Sequence, residues 1–244
     1  MELEGRVALV TGGAKRVGRT IALALARRGA HVVFTYRTSK GEADRLLREL
    51  TALGSQSLAV KADVGRAADA KAAVQKVVKT FGRIDILINN AAIYPRTPWA
   101  SLDEKAWDEV MATNLKGPFL FAKAAGDRMK AQGAGKIINI ADWAGARPYK
   151  HYLPYCVSKA GVIAMTKALA LELAPMVQVN AVAPGPVLLP EDVSAAEKRA
   201  IIAATPLHRI GSPEDVANAV VFLLEGSDFI TGALLPVDGG RLIA

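Results

Sequence analysis

Tyr155 and Lys159 stand four residues apart, a spacing that puts both side chains on one face of a helix. An ammonium beside a phenol favours the phenolate, so Lys159 is expected to draw the tyrosine from its ordinary value of about 10 toward neutrality. A tyrosine tuned in this way can pass a proton to a reacting group at physiological pH. Asp142 precedes this pair at the close of an apolar run, in the stretch DWAGARPYKHYLPYCVSK (142–159). A carboxyl, a phenol and an ammonium gathered at one place are the parts of an acid–base site.

A second group of residues suits phosphate. Thr11-Gly12-Gly13-Ala14-Lys15-Arg16-Val17-Gly18 is a glycine-rich passage from an apolar run into a segment of helical period. Backbone N–H groups at such a helix start, with the helix dipole behind them, can hold a pyrophosphate. Gly12, Arg16, Val17 and Gly18 are therefore candidate cofactor contacts. The end of the next apolar run chooses the dinucleotide. An acid there would bond the ribose hydroxyls of NAD, whereas this chain has Thr35-Tyr36-Arg37-Thr38-Ser39. The planar fork of Arg37, donors from Thr38 and Ser39, and Arg16 from the neighbouring loop suit a 2′-phosphate. NADP(H) is the expected cofactor.

Strand-like apolar runs at 7–11, 31–36, 57–62, 84–89, 136–141, 177–183 and 233–238 alternate with segments of helical period. Those helices are expected near 17–28, 40–52, 66–80, 103–130, from the Tyr155 stretch to about Leu173, and at 194–203 and 213–224. Continuous apolar strands alternating with helices predict a mainly parallel sheet covered on both faces. No linker breaks the pattern, so residues 1–244 read as a single doubly wound, Rossmann-type α/β domain with seven strands flanked by helices. Ligands in such sheets sit at the carboxyl ends of the strands. The glycine turn, Arg37, Asp63, the NNAA stretch, Asp142 and the PGPV stretch all fall there.

Totals narrow the function. The chain has 244 residues, 51% of them hydrophobic, which allows a substantial core, and no apolar run long enough for a bilayer. Its start enters a strand within a few residues and shows no signal region, so a cytoplasmic protein without a membrane partner is expected. Cys156 is the one cysteine, which rules out an internal disulfide and metal-ligand spacing. The net charge of +8 is spread over the chain without a zinc knuckle or basic helix, so no nucleic-acid partner is expected.

Together these motifs resemble the short-chain dehydrogenase/reductase family across essentially the whole chain. The matching residues are the turn at 11–18, Asp63-Val64, Asn89-Asn90-Ala91, Asn114, Tyr155-x-x-x-Lys159, Pro184-Gly185 and ITGALLPVDGG (230–240). The resemblance implies that Tyr155 donates the proton and that Lys159 holds the nicotinamide ribose. It implies that Asn114 supports a water relay, that Asp63 and Val64 meet the adenine, and that Asn90, Ala91, Pro184, Gly185 and Val187 line the cofactor. The helices at 103–130 and 153–173 resemble those that pair family members into dimers or tetramers. The segment 188–203 would be a substrate lid.

Two departures carry information. Family members ordinarily have glycine where Arg16 stands and serine where Asp142 stands. Both changes together resemble the pteridine reductase and dihydromonapterin reductase branch, in which the aromatic residue at the position of Tyr94 stacks on the pterin. A carboxyl there suits a proton bound for ring nitrogen, because only a protonated carboxyl can donate to a ketone oxygen. The expected reaction is NADPH-dependent reduction of a pterin-like C=N bond, with Asp142, Tyr155, Lys159 and Asn114 as catalytic residues. Tyr94, Asp142 and Tyr155 would then contact the substrate. The alternative is a carbonyl reductase of the 3-oxoacyl-carrier-protein type, which the stretch 206–220 resembles; a non-catalytic NADP-binding sensor is a third. His151 and Cys156 are expected to serve a loop and packing, and Trp99, Trp107 and Phe119 to cover core or a subunit seam.

Overall fold

β-branched and leucine-rich runs with no polar face can only be strands buried on both sides, and they are. The strands are β1 Val7–Val10, β2 His31–Tyr36, β3 Ser57–Lys61, β4 Ile86–Asn89, β5 Gly135–Ile140, β6 Val177–Pro184 and β7 Leu234–Val237. Every residue of β1, β4 and β5 is buried. The computed structural model describes residues 1–189 and 193–244; residues 190–192, inside the expected lid, lie outside the described residues. All seven strands pair in parallel in the order β3-β2-β1-β4-β5-β6-β7. The chain is thus a single Rossmann-like α/β sheet, as its sequence pattern predicts.

Alternation along the strands splits the core. Ala8 and Val10 point to one face, where they pack with Leu25 of α1 (Arg16–Ala26), Leu46 of α2 (Lys40–Ala52) and Val220 of α8 (Pro213–Glu225). Val7 and Leu9 point to the other, against Val77 of α3 (Ala67–Phe81), Phe121 of α5 (Gly117–Gln132) and Leu173 of α6 (Leu153–Leu173). Each fully buried leucine or isoleucine contributes roughly 1.5–3 kcal/mol, so both faces are held firmly. The chain runs outward from β1 to β3 and then returns to the far side of β1, opening a crevice at the β1/β4 carboxyl ends.

The long helix expected over 103–130 is present without a gap from Glu104 to Gln132, but it is not regular throughout. α4 (Glu104–Met111) is capped by the Asp103 carboxylate, which accepts from Ala106 N at 2.8 Å. One wide π-helical turn, Ala112–Lys116, then separates α4 from α5. Asn114 lies in that turn and bonds both backbone groups of Ile93, at 2.8 Å and 2.9 Å. A regular turn has no room for that diversion toward the loop after β4. Trp99 is 81% exposed and Phe119 46%, so neither covers core. α7 (Ala195–Ala203) opens with a Ser194–Glu197 capping box.

A buried polar ladder fixes α6 over the sheet. Asn89 Nδ2 donates to Asn139 Oδ1 at 2.9 Å, and Asn139 Nδ2 donates to Thr166 Oγ1 at 2.9 Å. Thr166 Oγ1 in turn donates to the Val162 carbonyl at 2.8 Å. These bonds set the height of the helix that carries Tyr155. Thr166→Val should leave the Asn139 amide unpaired and cost about 1–3 kcal/mol, read as a lowered urea midpoint at unchanged slope.

Candidate active site

Gly12 has φ +62, and a Cβ there would stand 2.9 Å from the Ala91 Cα, so the turn after β1 admits no side chain at that point. Thr11 and Asn90 lock it. Thr11 Oγ1 accepts from Asn90 N and Ala91 N at 2.9 Å and 3.0 Å, while Asn90 Nδ2 donates to the Thr11 and Gly12 carbonyls. Gly12 N is directed onto Thr35 Oγ1 at 3.1 Å. Asn90 is therefore spent on shaping the turn. Arg16 adopts φ +55, a left-handed conformation that favours glycine and costs an arginine of order 1 kcal/mol. Its Nη2 donates to the Leu188 carbonyl at 3.2 Å.

A cavity of about 690 Å³ runs from this turn to the start of α6. Gly12, Arg16, Val17, Gly18, Arg37, Thr38, Ser39, Asp63, Val64, Asn90, Ala91, Pro184, Gly185 and Val187 all line it. So do Tyr94, Asp142, Tyr155 and Lys159. Arg37 and Thr38 are exposed at the end of β2, and no acid accompanies them among the five residues from Thr35 to Ser39. That donor set fits a phosphorylated ribose; a tight glycine floor without side chains fits a pyrophosphate. Asn114 is the exception among the expected site residues. It does not line the cavity but sits behind it, buried, with Nδ2 3.3 Å from Ser158 Oγ. Ser158 Oγ donates to the Tyr155 carbonyl at 2.7 Å, so Asn114 acts on the tyrosine through backbone.

At the inner end of the cavity Tyr155 Oη donates to Asp142 Oδ2 at 2.7 Å. Asp142 Oδ1 accepts from Ala144 N at 2.8 Å, capping the single 3₁₀ turn Trp143–Gly145. One carboxyl thus both caps a turn and faces the phenol. Burial lifts Asp142 above the ordinary carboxylate range, against the pull of its hydrogen bonds and of Lys159. Lys159 is buried; desolvation lowers it to about 8, and its Nζ donates to the Ile140 carbonyl at 2.7 Å. Its Nζ lies 5.7 Å from the Tyr155 ring centroid. The expected descent of Tyr155 toward neutrality is not met. Burial first, and then the Asp142 carboxylate, push the phenol well above its ordinary value.

Aromatic residues that the sequence reading passed over crowd this end. Tyr94 stacks on Tyr152 with centroids 4.3 Å apart and 9° between planes, and meets Tyr155 edge-on at 4.6 Å. Its hydroxyl lies 3.1 Å from that of Tyr149, which stacks on Trp143. One face of Tyr94, expected to be open for a flat ligand, is thereby covered. Tyr149, Tyr152 and Tyr155 recur every three residues, a spacing that could have flagged them. His151 belongs to the loop, its carbonyl accepting from Thr97 N at 2.7 Å, and Cys156 is buried beside Tyr155 and Ala144. Among the described residues no group of His, Cys, Asp or Glu could hold a metal, and no helix is long and apolar enough to cross a membrane.

Comparison with known proteins agrees with this architecture. Residues 12–241 match the family model described as enoyl-(acyl carrier protein) reductase. The chain is 40% identical over 237 residues to the 3-oxoacyl-[acyl-carrier-protein] reductase FabG of Staphylococcus aureus, covering 96% of each protein. It is 37% identical over 247 residues to the BbsD subunit of (2S)-[(R)-hydroxy(phenyl)methyl]succinyl-CoA dehydrogenase from Thauera aromatica, with 99% and 98% covered. The crystal structure of a single-substitution variant of actinorhodin polyketide ketoreductase with NADPH superposes with a TM-score of 0.92 at 34% identity, covering 98% of both chains. None of these relatives is a pteridine reductase, and the first of them carries the activity held above as the alternative. Motifs, strand order and whole-length likeness coincide, and the chain belongs to the short-chain dehydrogenase/reductase family.

Proposed function

We propose that this protein is an NADPH-dependent reductase of a ketone carbonyl, with 3-oxoacyl thioesters as its substrate class. The observation that carries the reading is the Tyr155–Asp142 hydrogen bond, set at the inner end of a cavity whose other end has the donors for a 2′-phosphate. Whole-length likeness to a 3-oxoacyl reductase and to a ketoreductase with NADPH supports the substrate class and the cofactor.

When bound, the dinucleotide supplies the hydride. The chain's own residues handle the oxygen. A carbonyl oxygen placed against Tyr155 Oη takes over the hydrogen bond now made to Asp142 and receives the phenolic proton. Negative charge grows on that oxygen, so an ionised Asp142 would oppose the step while a neutral one assists it. Burial favours the neutral form, and the protonated carboxyl then donates as the family's serine hydroxyl would. Lys159, charged below about 8, stabilises the phenolate left behind. Asn114 and Ser158 hold the tyrosine from the back, and α7, with the described residues of the 188–203 segment, serves as the lid. Exposed Phe119, Val157 and Leu171 on α5 and α6 support assembly into a dimer or tetramer through those helices.

The second reading, reduction of a pterin-like C=N bond, is favoured by Asp142 itself, since a carboxyl can relay a proton to a ring nitrogen, whereas its ionised form opposes charge growing on a ketone oxygen. Steady-state oxidation of NADPH with acetoacetyl-CoA and with a dihydropterin separates the two. Turnover of the thioester supports the ketone reading, turnover of the pterin alone replaces it, and tight NADPH binding without either removes both. In the ketone case the rate should fall as pH rises through the raised Asp142 value, because the ionised form repels the developing charge. Asp142→Ser should abolish that fall and leave only the loss above about 8 due to Lys159; Asp142→Ala should lower kcat by about 10²–10³. Arg37→Ala should raise KM for NADPH by about tenfold or more while leaving KM for NADH nearly unchanged, by the loss of charge-assisted bonds.

A further inference from the structure

The cavity wall beyond Tyr155 contains a cation that the chemistry above does not use. Arg241 follows β7 near the end of the described chain and lines the cavity together with Trp143 and Tyr149. Its guanidinium carbon lies 5.3 Å from the centroid of the Trp143 indole, over the ring. Nη1 donates to the Ala204 carbonyl just after α7, and the Arg241 carbonyl accepts from Arg147 Nη1 at 2.9 Å. The side chain is therefore held by the indole and by the Ala204 carbonyl, and Arg147 fixes the backbone that carries it.

Those contacts leave most of its hydrogen-bonding capacity free. A guanidinium has five N–H donors. Among the described residues Nε is buried without a partner and no ion pair includes Arg241. The residue as a whole is only half-buried and lines the cavity, and among the described residues no hydrogen bond engages Nη2, so an anion there has a charge-assisted donor to meet. Position supports the same conclusion. Arg241 and Trp143 line the same cavity as Asp142 and Tyr155. Between them the wall is aromatic, with Trp143 and Tyr149 stacked at 5.4 Å and 28°. Arg16 and Arg37 belong to the glycine turn and the end of β2 and are engaged at the other end of the site.

We infer that Arg241 is a specificity-determining residue that binds an anionic group, a carboxylate or a phosphate, carried by the substrate beyond its reacting carbonyl. The substrate would then have three parts in register: a carbonyl at Tyr155, an apolar segment along the Trp143 and Tyr149 rings, and an anion at Arg241. The nature of the reacting group rests on the carbonyl-reductase reading; the anion contact does not.

Two measurements on the full chain test this separately. Titration of the NADP⁺-loaded protein with benzoate and with benzamide compares ligands of one shape that differ in charge. Benzoate should bind about tenfold more tightly, the gain of one charge-assisted pair. Arg241→Gln should erase the preference, Arg241→Lys should keep part of it, and rising salt should weaken it in the unmodified protein. Phenyl phosphate in the same titration identifies the source of the anion by whether it binds more tightly than benzoate. Equal binding of benzoate and benzamide, or an equal loss of both in Arg241→Gln, overturns the inference. In turnover, Arg241→Gln should lower kcat/KM for acetoacetyl-CoA about tenfold more than for the acetoacetyl thioester of N-acetylcysteamine, which lacks phosphates, if phosphate is the ligand. Anion-selective binding without thioester turnover would remove the carbonyl reading and leave Arg241 in its role. Thioester turnover with no anion selectivity in either measurement would do the reverse.

Discussion

A phenol and a carboxyl share one hydrogen bond of 2.7 Å on the wall of a cavity, and the surrounding structure is what keeps that arrangement tolerable. Two ionised groups could not sit so close in a poorly solvated corner. Burial therefore raises both, and Lys159, the cation that pulls Asp142 the other way, is itself lowered by desolvation. That differs from the simple picture in which a lysine ionises its neighbouring tyrosine. Here the lysine's main bond is to the Ile140 carbonyl, and its effect on the phenol is exerted across 5.7 Å.

Positioning comes from the order of the strands. β1 and β4 lie side by side although much of the chain separates them, and the Thr11 hydroxyl stitches the loops that leave them. β5 delivers Asp142 and the carbonyl that holds Lys159. The Asn89–Asn139–Thr166 ladder sets the distance from those strands to α6. Asp142, Tyr155 and Lys159 are thereby each supported by a strand end or a long helix.

Much of this was legible in the residues. Continuous apolar runs located the strands to within a residue or two, because a parallel sheet buried on both faces tolerates nothing else there. The glycine turn, the acid-free end of β2 and the Tyr155–Lys159 spacing each carry their own physical reason and fell on one cavity. Other features depend on tertiary context. Whether a helix contains a wide turn depends on what Asn114 can reach across space, which periodicity does not encode. The direction of a pKa shift depends on burial, so the lysine was visible but the desolvation that outweighs it was not. Arg241 sits beyond the last strand in a segment of unremarkable composition, and only folding brings it to the indole next to Asp142. The substrate branch was the least legible part. Two substitutions pointed to the pteridine reductase branch, while the chain as a whole resembles ketoreductases.

Arg16 connects two distant parts of the molecule. It is held in a conformation natural to glycine, and its guanidinium reaches a carbonyl 172 residues further along the chain. The same fork lies where a nucleotide's phosphate would arrive. That one hydrogen bond to the Leu188 carbonyl ties the glycine turn after β1 to the stretch that follows β6, so a single side chain spans the cavity wall between them.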